Sequence, residues 1–426
     1  MSKKQYFIAA ALLVWFVLLS FMLHIPGNAS DPAFVPLDAI SYEEAGQLLL
    51  KGQASPIRPW GYALIAALGN GVSQGVIQPL LLGLQVLCWL MTGLFLYNIA
   101  ARYLKGKWKY LPLIVFALSP SHILFSWLTL TETVFTFLII LAAWLMLRHV
   151  QEPGRPRWLI WVNIVLAFAC VVRPSLQIPV LVVLLWTGWE LWFSKPRRPL
   201  VFVAAFAGVF LLIGFQSMRM HKDYGQYTLS FIGKITLYKY LGSLSQSLAE
   251  NRDLRQVRNE RDSVQNHRFT ETNAVAYWKQ RTAFYDEDFK TQWAEHKGFV
   301  FKAWLINLRQ NISEPNAILA EMTPRNQVPG FGFTRLVFYK FSAWLNLLMH
   351  LLLLPAALML LVYQWIHQRK LFPEGEVLAA AFATLMALFL LLISGISNWQ
   401  GDRFSMVYYP LILFSLVLLV PKAKNA

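Results

Sequence analysis

Long uncharged runs dominate the sequence and constrain its fold more than any other feature. Each run covers roughly 15–25 residues, enough for an α-helix to cross a hydrocarbon core of about 30 Å. Only 14% of the 426 residues are charged and 57% are hydrophobic, whereas soluble domains carry about 25% charged residues. The chain is therefore predicted to be a multispanning, all-α membrane protein, and an ordinary soluble enzyme is excluded.

The uncharged runs predict ten transmembrane spans, near residues 6 to 23, 77 to 99, 110 to 127, 129 to 147, 158 to 173, 176 to 193, 199 to 215, 341 to 363, 377 to 397 and 404 to 420. We expect three parts. Residues 1–215 form an N-terminal membrane module of seven spans, with the first outer loop at 24–76. Residues 216–340 form a mainly helical extracytoplasmic and interfacial region, and residues 341–426 form a C-terminal membrane module of three spans.

The distribution of basic residues predicts the orientation of these spans. The formal net charge is +16, and most cations outside the 216–340 region fall on one side of the predicted membrane. That side carries Lys3, Lys4, Arg102, Lys105, Lys107, Lys109, Arg148, Arg155, Arg157, Lys195, Arg197, Arg198, Arg369, Lys370, Lys422 and Lys424. The other side has only Lys51, Arg58, Arg173 and Arg403 outside that region. The positive-inside rule then places both termini in the cytoplasm. The basic balance reflects topology, and no nucleic-acid partner is expected.

The first span has a second interpretation as a cleaved signal peptide, because Lys3 and Lys4 precede it and Gly27 and Ala29 follow. A signal core is typically about 7–15 residues long. The run from 6 to 23 is longer and rich in bulky side chains, so a retained span is favoured.

Charged groups collect at the outer turns of the predicted spans, where ionisable groups near hydrocarbon first suggest function. They are Asp38, Glu43, Glu44, Arg58, Glu132, Arg173, Asp402 and Arg403. Each has a structural alternative. Asp38, or Ser41 together with Glu44, could cap a helix over 37–52; Glu132 could face a helix dipole; the arginines could anchor the interface. Since four separate turns deliver acids and guanidinium groups to one level, a site for an anionic lipid headgroup is predicted.

Several segments resemble a known family. LDAISYEEAGQLLLKGQASPIRPWGY resembles the first outer loop of GT-C fold glycosyltransferases that use polyprenyl-phosphate sugars. LSPSHILFSWLTLTETVFTFLIILAAWLML, VVRPS and GDRFSMVYYPLIL resemble their third and fourth spans, the turn after the fifth, and their last span. The group includes protein O-mannosyltransferases, the aminoarabinose transferase of lipid A, and family-39 and Rgt-like bacterial enzymes. The resemblance is good over about the first 215 residues and thin beyond them.

The resemblance implies a GT-C-like bundle with interfacial helices in a bacterial inner membrane, acting on the cell envelope. It implies that Asp38 is the catalytic carboxylate, that Glu132 is the acid of the second outer loop, and that outer-loop cations hold the carrier phosphate. Many relatives have two adjacent acids where this chain has Asp38 followed by Ala39. A divalent metal is therefore left open, and no other cofactor is implied.

The chemistry of sugar transfer from a lipid phosphate suits these residue types. Arginine pairs two phosphate oxygens with its planar fork, and the candidates are Arg58, Arg173 and Arg403, with Arg219 and Lys222 as helpers. A carboxylate must accept the proton of the incoming hydroxyl, with inversion of the anomeric centre, and Asp38 is the candidate. Glu132 would position the acceptor or the sugar, or polarise Asp38. Predicted sugar or acceptor contacts are Tyr42, Glu43, Trp60, Tyr62, His122 and Trp399.

The predicted function is an inverting membrane glycosyltransferase, whose partners are a polyprenyl-phosphate-linked sugar, membrane lipids and a lipid, glycan or protein acceptor. Other classes remain as alternatives: a lipid-linked sugar transporter or flippase, a polysaccharide polymerase or ligase, and a noncatalytic assembly factor. A transporter would place polar groups at the middle of its spans, and these are scarce in the sequence. A nucleotide-sugar enzyme would need acids on the cytoplasmic loops, which are short and hold few.

Overall fold

The computed structural model describes residues 2–23, 25, 37–68, 72–73, 76–77, 79–153, 155–193, 199–315, 331–369, 374–397 and 402–420. In this part of the chain the fold is a bundle of α-helices. The helices are α1 (Lys3–Met22), α2 (Leu37–Leu50), α3 (Trp60–Leu68), α4 (Pro79–Tyr103), α5 (Gly106–Ala117), α6 (Pro120–Ser126), α7 (Glu132–Gln151), α8 (Arg157–Val172), α9 (Pro174–Trp192), α10 (Pro199–Tyr224), α11 (232–250), α12 (Leu254–Arg268), α13 (Ala274–Ser313), α14 (Leu336–Gln368), α15 (Glu376–Ser394) and α16 (Asp402–Leu419).

Eight helices within the described ranges are long and apolar enough to cross a membrane: α1, α4, α7, α9, α10, α14, α15 and α16. Helices α5 and α6 pass the same test as a pair that is bent by 54°. Helix α8 is apolar but shorter. Each of the ten predicted spans thus has a helical counterpart, and the all-α membrane fold is confirmed. Between α3 and α4, Val72 and Ser73 pair antiparallel with Ile77 and Val76 in a two-residue ladder.

The bend between α5 and α6 follows from Pro120. Proline removes a backbone donor and disfavours helical geometry in the residue before it, and Ser119 is extended, with ψ 110°. Helix α6 is buried along its whole length. The third predicted span is therefore a broken helix, and its second half lies inside the bundle.

Helices α2 and α3 form a hairpin that packs closely on the bundle. A Cβ at Gly61 would lie 2.7 Å from the carbonyl oxygen of Val171, and a Cβ at Gly46 would lie 3.1 Å from that of Ala63. A side chain at Gly61 would require the Val171 backbone to move, whereas the approach at Gly46 is tight but less severe. The start of α3 therefore lies directly against the end of α8, which brings the turn before α3 beside the turn after α8.

The 216–340 region is mainly helical in its described parts, residues 216–315 and 331–340, as predicted. Its inner end has a small core of Ala54, Met220, Tyr224, Phe231 and Trp278. Farther along the chain, Arg261 pairs with Asp288 at 2.6 Å, and both side chains are largely buried.

Helix α13 returns from this region to the bundle. It kinks at His296, whose φ is −132°. Asn307 and Asn311 donate to the carbonyl oxygens of Gly395 and Ser394, at the end of α15. These side-chain hydrogen bonds tie the 216–315 region to the three last helices.

Candidate functional site

Five charged side chains that are far apart in the sequence form one row of ion pairs, in which arginines and acids alternate. We call this row the charged network. Its order is Arg58, Asp38, Arg403, Glu132, Arg173. Arg58 Nη2 lies 2.5 Å from Asp38 Oδ1, and Arg403 Nη2 lies 2.8 Å from Asp38 Oδ2. Arg403 Nε lies 2.7 Å from Glu132 Oε1, and Arg173 Nη1 lies 3.7 Å from the same oxygen. Two acids and three guanidinium groups therefore meet at one end of the bundle.

Asp38 is placed by α2, which begins at Leu37, so the carboxylate lies in the first turn. Its two oxygens accept from Arg58 and Arg403. The Ser41 capping-box interpretation is wrong, because Ser41 lies inside α2 and its hydroxyl donates to the backbone oxygen of Asp38 at 2.6 Å. Ser41 Oγ also accepts from Arg58 Nε at 2.8 Å. Ser41 is therefore a part of the site that the sequence did not single out as such.

Arg58 is held on several sides at once. Its guanidinium carbon lies 4.4 Å from the centre of the Tyr42 ring, and Tyr42 meets the buried Tyr62 ring edge-on at 4.8 Å. Because aromatic faces attract guanidinium groups and the Ser41 hydroxyl fixes Nε, the fork has a defined direction. Tyr42 and Tyr62 thus act here as supports for Arg58, whereas the sequence assigned them to sugar or acceptor contact.

Glu132 is the buried centre of the network, with a side chain only 1% exposed. Arg403 and Arg173 approach one of its oxygens, while Oε2 has no hydrogen-bond partner among the described residues. Arg173 Nη1 is likewise buried with no hydrogen-bond partner there. The rings of Phe404 and Phe135 flank this guanidinium at 4.9 and 5.6 Å. Arg173 is therefore positioned, yet it still has a donor to offer.

The network controls the ionisation of Asp38. Burial alone would raise the pKa of this carboxyl, but the charges of Arg403 and Arg58 and their hydrogen bonds outweigh it and hold the pKa far below its ordinary range. Its side chain is 38% exposed, the largest fraction in the network. Asp38 is therefore an ionised carboxylate at the accessible edge of the site.

Arg403 is placed by its neighbour Asp402. The buried Asp402 carboxylate accepts a hydrogen bond from Ser342 Oγ at 2.5 Å and another from Ser121 Oγ. Ser342 belongs to α14 and Ser121 to α6, so both helices hold the first turn of α16. This anchoring points Arg403 toward the acids, and the sequence alone gave no sign of it.

Two predicted phosphate helpers lie away from the charged network. Arg219 Nη2 donates to the backbone oxygen of Gln53, and its guanidinium lies 5.4 Å from the Phe215 ring. Lys222 is exposed one turn farther along α10. Neither residue is a member of the charged network, and their role as phosphate helpers stays a prediction.

The remaining predicted contacts have varied surroundings. The Trp60 indole donates to the Leu212 backbone at 3.2 Å and packs on Phe168 and Phe215. Glu43 is partly exposed on α2, and burial raises its pKa. His122 is buried between the rings of Phe116 and Tyr409. Trp399 lies outside the described residues. Trp60 and His122 both pack against aromatic rings here, and their contact with a sugar or acceptor stays a prediction.

No group of three or more His, Cys, Asp or Glu side chains within the described ranges is close enough to hold a metal ion. The two acids of the charged network are instead joined through a shared arginine, Arg403. The donor set found here is thus one of carboxylate and guanidinium groups, which suits the binding of an anion.

Part of the chain is similar to a known family of membrane glycosyltransferases. The profile of the dolichyl-phosphate-mannose-protein mannosyltransferase family matches residues 53–214, which confirms the resemblance to GT-C membrane glycosyltransferases over this part of the chain. Among solved structures, the crystal structure of ArnT from Cupriavidus metallidurans in the apo state is similar, with 12% identity and a TM-score of 0.36 over 97% of this chain and 76% of that one. No curated protein matched the sequence.

Proposed function

We propose that the protein is an inverting glycosyltransferase that moves a sugar from a polyprenyl-phosphate carrier to a hydroxyl of a lipid, glycan or protein acceptor. The observation that carries the proposal is the charged network, in which Asp38 and Glu132 share Arg403. The positive-inside rule favours an outer-face site in a bacterial inner membrane. The match of residues 53–214 to a family of sugar transferases supports the same reaction class.

The charge balance of the network fits this reaction. Three guanidinium groups and two carboxylates sum to one positive charge, which equals the single negative charge of a sugar-linked phosphodiester. When the bond from the anomeric carbon to the phosphate oxygen breaks, the leaving oxygen keeps the electron pair. The carrier then becomes a monoester, which bears up to two negative charges near neutral pH. If the acceptor's proton moves to Asp38, the network gains one positive charge and matches the product.

The residues divide naturally between the two halves of the reaction. Arg173 has a buried Nη1 that still lacks a hydrogen-bond partner among the described residues, so the donor phosphate can bind there without first breaking a hydrogen bond of that nitrogen. A phosphate between Arg173, Arg403 and Arg58 would compete with the carboxylates for these guanidinium groups. Asp38 would then exchange an arginine for the acceptor hydroxyl. Donor binding in this scheme raises the basicity of Asp38, because it weakens the arginine contacts that lower the pKa.

The experiment is a transfer assay with purified protein in lipid vesicles that contain polyprenyl-phosphate sugars. Release of polyprenyl phosphate is measured, together with sugar appearing on added envelope glycolipids. We expect Asp38→Asn to lower the rate about 10²- to 10⁴-fold, the usual contribution of a positioned base. Glu44→Gln is the matched control, since Glu44 is exposed on the same helix and loses the same charge.

Near-normal release of polyprenyl phosphate by Asp38→Asn would remove Asp38 from the reaction. Movement of intact donor lipid between leaflets, with no bond cleavage in the wild type under any acceptor, would overturn the transferase proposal in favour of a flippase. Mass spectra of released glycans identify the sugar and the acceptor.

A further inference from the structure

A second polar site lies at the opposite end of the spans from the charged network. A cavity of about 240 Å³ opens between the first turn of α1 and the last turns of α4 and α7, and a single water needs only roughly 10–15 Å³ on this measure. Its polar lining consists of Gln5, Asn98, Arg102, Arg148 and Gln151. We call it the arginine–amide cavity, and no residue of it belongs to the charged network.

The cavity presents donors to a ligand. Gln5 donates to Asn98 at 2.8 Å and Arg102 donates to Gln151 at 3.2 Å, so the amides and Arg102 are held in place. Arg148 lies over the Trp144 ring at 4.9 Å. Its Nε is buried and has no hydrogen-bond partner among the described residues. An unsatisfied buried donor costs free energy, and an anionic oxygen in the cavity would satisfy it.

Two carboxylates lie near the cavity in the described part of the chain. Gln151 donates to the Tyr103 hydroxyl, which donates to Glu376, and Glu152 pairs with Arg148. Glu152 is 3.5 Å from Arg148, but it is closer to Arg155, at 2.7 Å. The cavity therefore keeps a positive balance, since both Arg102 and Arg148 line it and no acid does.

The walls of the cavity continue into the membrane as an aromatic seam between α4 and α7. The Phe95 ring stacks on Trp144 at 5.4 Å and on Phe137 at 6.1 Å, and all three rings are partly exposed. About two turns before Phe95 on α4, Leu87 is 53% exposed. Both helices thus present an apolar stripe that becomes basic and amide-rich only in the last turn. The apolar stripe suits a lipid acyl chain, and the basic, amide-rich end suits the phosphate headgroup that follows it.

We propose that the arginine–amide cavity binds the headgroup of an anionic glycerophospholipid, with one acyl chain along the Phe95–Trp144 seam. Basic pockets between spans on the cytoplasmic side commonly bind such headgroups, and the positive-inside rule predicts that this end is cytoplasmic. The apolar seam favours a lipid over a free phosphate, because a soluble ion has no apolar chain to bury there. The proposal does not rest on the glycosyltransferase function.

The test is native mass spectrometry of the full chain released from nanodiscs that contain equal amounts of phosphatidylglycerol and phosphatidylcholine. We expect the wild type to retain phosphatidylglycerol preferentially. The double variant Arg102→Gln/Arg148→Gln should lower this retention by about fivefold for each arginine, the factor corresponding to about 1 kcal/mol per cation near a membrane surface. The matched control is Lys107→Gln/Arg157→Gln, which removes two exposed cations from the same predicted leaflet.

A second variant guards against misfolding of the double mutant. Asn98→Asp keeps the volume of the side chain and both arginines but adds a negative charge inside the cavity, and it should also lower phosphatidylglycerol retention. Equal retention by wild type and both cavity variants would overturn the proposal. So would an equal loss in the control, which would indicate nonspecific surface charge. Displacement of the lipid by millimolar inorganic phosphate would show that a soluble anion is the occupant.

Discussion

The two ends of the bundle use arginine in opposite ways. In the charged network, three guanidinium groups interleave with two carboxylates, and Glu132 is almost completely buried between its partners. In the arginine–amide cavity, Arg102 and Arg148 are accompanied by neutral amides. Holding an anion requires only cations and amide donors. A site that also moves a proton and a sugar needs acids, and acids in such a place must be neutralised by arginine when the ligand is absent.

The largest effect that tests this comparison is expected from Glu132→Gln. The change leaves Arg403 and Arg173 without their shared carboxylate, and removing one partner of a buried ion pair costs about 3–5 kcal/mol. We therefore expect a marked drop in thermal unfolding temperature together with loss of transfer. Arg102→Gln at the other end should change the unfolding temperature little. If both substitutions lowered the unfolding temperature equally, the proposed difference between the two ends would be wrong.

Arg403→Gln should have the next largest effect, on the pH dependence of transfer. Arg403 is the leading charge that lowers the pKa of Asp38, while burial raises it. In the wild type Asp38 stays ionised throughout the neutral and mildly acidic range, and its stabilising contribution disappears only as the pH falls below the ordinary aspartate range. Without Arg403 its pKa rises, so the acidic limb of the rate profile should move to higher pH. Arg403→Lys, which keeps the charge, should move it less.

Arg173→Lys should mainly weaken donor binding. Lysine keeps the charge but lacks the planar fork that pairs two phosphate oxygens, and the Phe404 and Phe135 rings would no longer stack on a guanidinium. We expect the KM for the donor to rise about tenfold, with the unfolding temperature nearly unchanged. A change in kcat alone would place Arg173 at the acceptor instead.

The smallest effect is expected from Ser342→Ala. It removes one hydrogen bond to the buried Asp402 carboxylate, and bonds to charged groups contribute about 1.5–3 kcal/mol. Transfer should fall only a few-fold, because Ser121 still holds Asp402. If both hydroxyls position Arg403, the double variant Ser121→Ala/Ser342→Ala should lower the transfer rate by more than the product of the two single-variant factors. Simple additivity would indicate a purely local contribution to stability.

Much of the fold followed from hydropathy, since each predicted span has a helical counterpart. The depth of a residue along a span is encoded by the flanking charges, so Asp38, Arg58, Glu132, Arg173 and Arg403 could all be assigned to one level. Hydropathy does not encode which helices are neighbours. For that reason the Asp402 anchor, the Ser41 support and the arginine–amide cavity were not predicted, and the roles of Arg219 and His122 stay predictions.

The close approach at Gly61 shows the kind of signal that single-sequence reasoning misses. A glycine in a short interfacial helix reads as a weak helix former, yet here its missing side chain lets α3 touch Val171. That contact brings Arg58, just before α3, and Arg173, just after α8, into one network. The need for glycine at position 61 is apparent only from the packing of α3 against α8.

The separation of Asp38 and Arg403 by 365 positions has a consequence for biogenesis. While the ribosome is still working, both acids have already reached the membrane surface, and the cation that links them has not yet been translated. Until the helix beginning at Asp402 inserts, Asp38 and Glu132 have only Arg58 and Arg173 as network partners. Insertion of that helix then joins the two acids through Arg403 and completes the charged network.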